Sequence, residues 1–148
     1  MILAENAALI AIDVQQGFEL PAWGRRNNPA MEANGLALLA AWRAAGRPVV
    51  IVRHDSVSPG STLAPSHPGN AFKPGFGPQA GEPLVTKSVN SAFIGTDLEA
   101  WLRDRGIGQV VLFGISTDMC VSTTARMAAN LGFETIIAGD ACHTFDQT

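Results

Sequence analysis

QVVLFGISTDMCVSTTARM, residues 109–127, passes from an unbroken apolar run into a segment of helical spacing, and a cysteine sits at the corner. QVVLFG (109–114) has the continuous hydrophobicity of a strand buried on both faces, as in a parallel sheet. Beyond Cys120, the residues Val121, Ala125, Ala128 and Leu131 fall on one helical face, and Gly132 is placed to end the helix. Packing alone asks for no cysteine at such a turn, where a thiol usually behaves as a small apolar group. A thiol that must ionise has reason to be there, because the N–H groups of a helix start favour negative charge.

The same alternation extends outward in both directions. ALIAIDV (8–14) reads as a buried strand ending in an acid. Asn28 and Pro29 open a helix carrying Met31, Gly35, Leu38, Leu39 and Trp42, and Gly46 closes it. VVIVR (49–53) is a second buried strand and LVTK (84–87) a short third one. Thr96 to Glu99 forms a capping box for a helix bearing Trp101 and Leu102 and ending at Gly106. TIIAGD (135–140) is the last strand. Strands alternating with helices predict a three-layer α/β/α fold, Rossmann-like, with a mostly parallel sheet and helices on both faces. Residues 56–83 hold six prolines and five glycines without a sustained period, and are expected to form a long loop serving as a lid or a dimer contact.

Composition bounds the function. With 148 residues, 47% hydrophobic and 16% charged, the chain has the size of one domain (1–148) with a single core. A formal charge of −3 with no basic block argues against nucleic acid or an anionic membrane as partner. The N-terminus lacks a basic leader region, and its apolar run is too short to span a bilayer. Cys120 and Cys142 make no disulfide framework, so a cytoplasmic protein is expected.

Open parallel sheets bind ligands at the carboxyl ends of their strands. That rim receives Asp13 from the first strand, His54 and Asp55 from the second and Lys87 from the third. Ser116, Thr117, Asp118 and Cys120 follow the fourth, and Asp140 and His143 the fifth. A cysteine attacks only as thiolate, and its ordinary pKa of about 8.5 leaves it protonated at neutral pH. A neighbouring Lys87 would lower that value, and Asp13 could accept the proton and return it to a leaving amine. Each residue alone also has a structural reading: a turn aspartate, a solvated lysine, a core cysteine. A nucleotide-binding domain is a further alternative, but GFGPQAG (75–81) has no strand leading into it and no helix after it.

IDVQQGF (12–18), TKSVNSAFIGTDL (86–98) and GISTDMCVSTTARMAANLGFE (114–134) resemble, in order, the signature regions of the isochorismatase-like cysteine hydrolases. This superfamily includes nicotinamidases, carbamoylsarcosine amidases and streptothricin hydrolase. The resemblance implies a catalytic triad of Asp13, Lys87 and Cys120. It implies a cis peptide between Ile115 and Ser116 and an oxyanion hole from the Ser116 and Cys120 N–H groups. Gln16, Phe18, Trp23, Asn90, Phe93 and Thr117 are the implied substrate-binding residues. No cofactor and no metal is expected, since Ser56 in RHDSVSPGS falls where nicotinamidases carry a metal-binding histidine, and His54, Asp55 and His67 lack ligand spacing.

The implied reaction is cleavage of a C–N bond in a small-molecule amide, lactam or ureide through a thioester. The alternatives are vinyl-ether hydrolysis of the isochorismatase type and an inactive member serving binding or assembly. Family members are commonly oligomeric, so a homo-oligomer such as a dimer is expected. They usually continue past DACHTFD by a helix, a strand and a final helix, on the order of 30–40 residues, so the chain is expected to be incomplete at its C-terminus.

Overall fold

The computed structural model describes residues 2–146; the Gln147 and Thr148 of the final HTFDQT segment lie outside them. The elements run β1 (Ala8–Ile12), α1 (Met31–Ala44), β2 (Val49–His54), β3 (Leu84–Lys87), α2 (Leu98–Asp104), β4 (Gln109–Ile115), α3 (Ser122–Asn130) and β5 (Glu134–His143). The strands pair in the order β3-β2-β1-β4-β5, every pair parallel. All of β1 and all of β4 are buried, as their continuous apolar sequences require of central strands covered on both faces. The chain leaves β1 toward β2 on one side and leaves β4 toward β5 on the other. Right-handed crossovers in opposite directions place α1 on one face and α2 and α3 on the other. The predicted three-layer α/β fold is thus the observed one.

The reversal of direction between β1 and β4 opens a crevice at their carboxyl ends, the usual ligand position in such sheets. Gly114 sets its width. It lies opposite Ile12 in the β1–β4 pairing with φ at +138°, and a Cβ there would overlap the Ile12 carbonyl. On the α1 face, Gly35 lets the helix come close to the Phe76 and Phe113 rings, which lie 6.3 Å apart.

Local details depart from the sequence reading where side chains found partners outside their own helix. Asn28 does not open α1; it has φ +43°, and its side-chain amide donates to the Asp140 and Cys142 carbonyls of β5. The helix starts at Met31 instead, and Asn34 adds another bond to Asp140. Strand β5 reaches His143 rather than stopping at Asp140, because pairing with β4 resumes after an irregularity, at Gly114↔Cys142 and Ile115↔His143. The Thr96–Glu99 capping box gives way to Asp97 as the residue before α2, with the Thr96 hydroxyl accepting from the Leu98 N–H. Residues 56–83 are packed rather than free: Leu63 and Phe76 are buried, and Pro68–Asn70 forms a short helical turn.

Gly114→Ala should destabilise the fold by about 3 kcal/mol or more, because the methyl meets backbone and the φ is unfavourable for any L side chain. Urea denaturation, read as a lowered midpoint, checks this.

Candidate active site

Strand ends and one turn bring the site together. Asp13 follows β1 with φ at +54°, a left-handed conformation that aspartate tolerates better than most residues, and it is completely buried. Lys87 ends β3 with its side chain also completely buried. After β4 the Ile115–Ser116 peptide is cis, and a single wide helical turn, Thr117–Val121, carries Cys120 straight into α3. Turns of this wide type often occur at functional sites.

The Lys87 ammonium is the hub. Its Nζ donates to Asp13 Oδ2 at 2.9 Å, to the Val89 carbonyl at 3.0 Å and to Cys120 Sγ at 3.3 Å, and lies 2.9 Å from His54 Nδ1. An ammonium has only hydrogens to offer, so His54 Nδ1 is the acceptor and the ring proton sits on Nε2. Burial, reinforced by the Lys87 charge, pulls the His54 pKa down and keeps the ring neutral. Asp13 Oδ2 is engaged by Lys87, whereas Oδ1 is buried and meets no N–H donor among the described residues, the Cys120 thiol being the carboxylate's other hydrogen-bonding neighbour. Burial pushes the Asp13 carboxyl up against the opposing pull of Lys87, which makes it a better proton acceptor than an ordinary aspartate.

Burial is also the largest influence on Cys120. It pushes the thiol up to about 12, with the Asp13 charge acting in the same direction and Lys87 opposing. Proximity to Lys87 therefore does not produce a resting thiolate, because desolvation outweighs it. The thiol approaches Asn90 Oδ1 at 3.7 Å, a second acceptor for its proton. Asp13, His54 and Cys120 offer donor atoms within 4.8 Å of one another, as a metal would need. The Lys87 ammonium already stands among them and supplies the positive charge itself.

A cavity of about 120 Å³ opens above the sulfur, lined by Phe18, Trp23, His54, Leu63, Asn90, Ser116, Met119 and Cys120. Of the residues expected to bind substrate, Phe18, Trp23 and Asn90 line this cavity. Three residues expected in the pocket do not line it. The Gln16 side chain turns away to bond the Phe72 carbonyl, Phe93 is buried in a stack on Phe133 at 6.0 Å, and Thr117 lies in the turn outside the cavity. Two clefts are larger: one of about 460 Å³ is at the opposite end of the strands near Arg43 and Arg105, and one of about 320 Å³ adjoins the site, with Asp55, Thr86, Lys87 and Ile94 in its lining.

Several contributors were missed by the sequence reading. Gln15, not Gln16, is the structural glutamine: fully buried, it accepts from the His54 N–H and donates to the His54 and Asn70 carbonyls. Asn70 adds bonds to the His54 and Leu63 carbonyls and to Asp55. Phe145 extends the aromatic wall, with its centroid 5.3 Å from Trp23 and 6.2 Å from Phe18. Only the adjacency of two glutamines to Asp13 hinted at Gln15, and nothing local distinguishes the two.

Comparisons with known proteins agree with this architecture. The sequence profile of the isochorismatase domain matches residues 7–148. The isochorismatase family protein YrdC of Bacillus subtilis is 43% identical over 143 residues, covering 97% of this chain and 76% of that protein. Streptothricin hydrolase of Streptomyces noursei is 33% identical over 139 residues, 94% of this chain but only 50% of its own length. The crystal structure of an isochorismatase-family protein from Chromobacterium violaceum superposes with a TM-score of 0.95 at 49% identity, covering 99% of this chain and 76% of that one. N-carbamoylsarcosine amidase from Thermoplasma acidophilum has a TM-score of 0.80 at 26% identity, covering 93% and 83%.

An ion-pair network braces the segment that carries the aromatic wall. Arg26 grips Glu32 in a two-pronged contact at 2.6 and 2.8 Å, and the buried Lys73 reaches the same carboxylate at 2.8 Å. The Arg26 bonds, with further help from Lys73, hold the Glu32 pKa down to about 2 against an ordinary 4.5. A depressed acid stabilises the fold above its ordinary pKa, and that contribution is lost as pH falls from about 4.5 toward about 2. Glu32→Gln should remove this part of the acid destabilisation, seen as a smaller drop in urea midpoint between about pH 5 and pH 3 than in the wild type.

Proposed function

The chain belongs to the isochorismatase family of hydrolases, and from that membership we propose that it is a cysteine amidohydrolase cleaving a C–N bond in a small molecule, with Asp13, Lys87 and Cys120 as catalytic residues. The observation that carries this reading is the buried ammonium bridging carboxylate and thiol, at 2.9 Å and 3.3 Å, beneath a cavity. The amidase among the solved structures of the same fold supports C–N cleavage as the chemistry.

The proposed reaction runs through a thioester on Cys120. Asp13 takes the thiol proton on Oδ1, the oxygen Lys87 does not hold, while Lys87 steadies the forming thiolate. The sulfur attacks the carbonyl carbon, and the developing oxyanion is received by the Ser116 and Cys120 N–H groups. Such donors are worth roughly 2.7–4 kcal/mol each in the transition state. Asp13 then hands its proton to the departing nitrogen, the C–N bond breaks and a thioester remains. A water molecule gives a proton to Asp13 and attacks the thioester; the acid leaves and the proton returns to sulfur. Since Asp13 needs to be unprotonated only when substrate arrives, a protonated resting thiol fits this sequence.

The cavity of about 120 Å³ is well below the ~300–1,000 Å³ of sites for drug-sized ligands, so a compact acyl group is the expected occupant. Phe18, Trp23, Leu63 and Met119 give it apolar walls, favouring a hydrocarbon or aromatic portion beside the scissile amide.

A panel of small primary amides, lactams and ureides, assayed for released ammonia or amine, tests this. Cys120→Ser should lower turnover of any active substrate by about 10³-fold or more, and Asp13→Asn by a comparable factor. Unchanged turnover in Cys120→Ser, in a protein that melts normally, would overturn the assignment.

A further inference from the structure

The hub has one acceptor too many. Lys87 carries three ammonium hydrogens and faces four acceptors: Asp13 Oδ2, His54 Nδ1, the Val89 carbonyl and Cys120 Sγ. The first three lie at 2.9, 2.9 and 3.0 Å and the sulfur at 3.3 Å, so in the resting arrangement the sulfur is the least served. Of its three competitors, Asp13 is fixed by charge and the Val89 carbonyl by backbone. His54 alone can release its bond by turning a side chain.

The fold takes care over this histidine. Gln15 grips both the N–H and the carbonyl of His54, and Asn70 reaches the same carbonyl, so its backbone is immobilised and only the ring is free to move. The ring also lines the cavity, and with Nδ1 facing Lys87 its protonated Nε2 is on the opposite side of the ring. A hydrogen-bond acceptor on a bound molecule can engage that Nε2–H and draw the ring off the ammonium.

We propose that His54 is a positioning residue that withholds one Lys87 hydrogen from Cys120 until a bound substrate draws the imidazole away, so that the thiol is activated only when the cavity is filled. The proposal rests on the reading of Cys120 as nucleophile and adds to it a device that keeps the empty site unreactive. It also commits the substrate to an acceptor atom able to meet His54 besides the carbonyl under attack. The ionisable groups around the pair are Asp13 after β1, Asp55 beside His54 at the end of β2 and Lys87 itself; Asp55 is already paired with Arg53 at 2.8 Å.

The test needs no known substrate. Iodoacetamide alkylation of Cys120 is followed across pH by peptide mass spectrometry in the intact chain, in His54→Leu and in His54→Asn. Leucine removes the competing acceptor without admitting water, so Cys120 should react about tenfold faster near pH 7, the change in thiolate fraction expected of one pKa unit. Asparagine keeps an acceptor near the Nδ1 position and should track the wild type. If His54→Leu does not fold, His54→Ala with added imidazole replaces it: the variant should react faster, and imidazole should slow it again. A His54→Leu or His54→Ala protein alkylated at the wild-type rate or slower overturns the role of His54 while leaving the nucleophile assignment intact. Cys120 inert in every native protein, yet alkylated after denaturation, also overturns the role of His54, because removing the competing acceptor then frees no thiolate; the nucleophile reading fails separately, if Cys120→Ser keeps its turnover.

Discussion

Everything at the rim of this sheet is arranged around one constraint, the complete burial of the Lys87 ammonium and the Asp13 carboxylate against each other. Taking either ion out of water costs roughly several kcal/mol, which a single 2.9 Å contact does not recover unless the remaining hydrogens and lone pairs are also met. The ammonium is satisfied in full: besides Asp13 it meets an imidazole at the end of β2, a carbonyl just beyond its own strand β3 and a sulfur after β4. The carboxylate is less well served: no N–H donor among the described residues reaches Oδ1, and only the Cys120 thiol remains beside Lys87 to bond it. An imperfection of that kind weakens a fold and suits a proton acceptor.

The sheet topology is what makes the pair possible. Asp13 leaves β1 and the Ser116–Cys120 turn leaves β4 on either side of the crevice where the chain reverses direction. Gly114 permits the close approach of the two strands just before they diverge. Lys87 reaches in from the edge strand β3 across β2, and a long side chain is needed for that distance. His54, at the end of the intervening strand, necessarily meets it on the way. The same placement makes the histidine a competitor for the ammonium.

Much of this was legible in the sequence because it depends on patterns along a single segment. Continuous apolar runs marked β1, β2 and β4, helical spacing marked α1 and α3, and the residue after each strand indicated what the rim would carry. Partnerships between segments were not legible. Asn28 looked like a helix cap and instead serves the β5 backbone; Gln15 and Gln16 are neighbours of one type, yet only the first is buried. The thiol is the sharpest case: a nearby lysine and a helix start both suggest a lowered pKa. Burial, invisible to local sequence, reverses the sign.

The proposed mechanism requires covalent acylation of the Cys120 sulfur during turnover. Acid-quenching the protein seconds after mixing with a small activated ester, then locating any added mass by peptide sequencing, tests it directly. One acyl group on the peptide containing Cys120, absent after hydroxylamine treatment and absent in the Cys120→Ser chain, is the predicted result. Hydrolysis of the ester without an adduct, or with the acyl group on another residue, would contradict it.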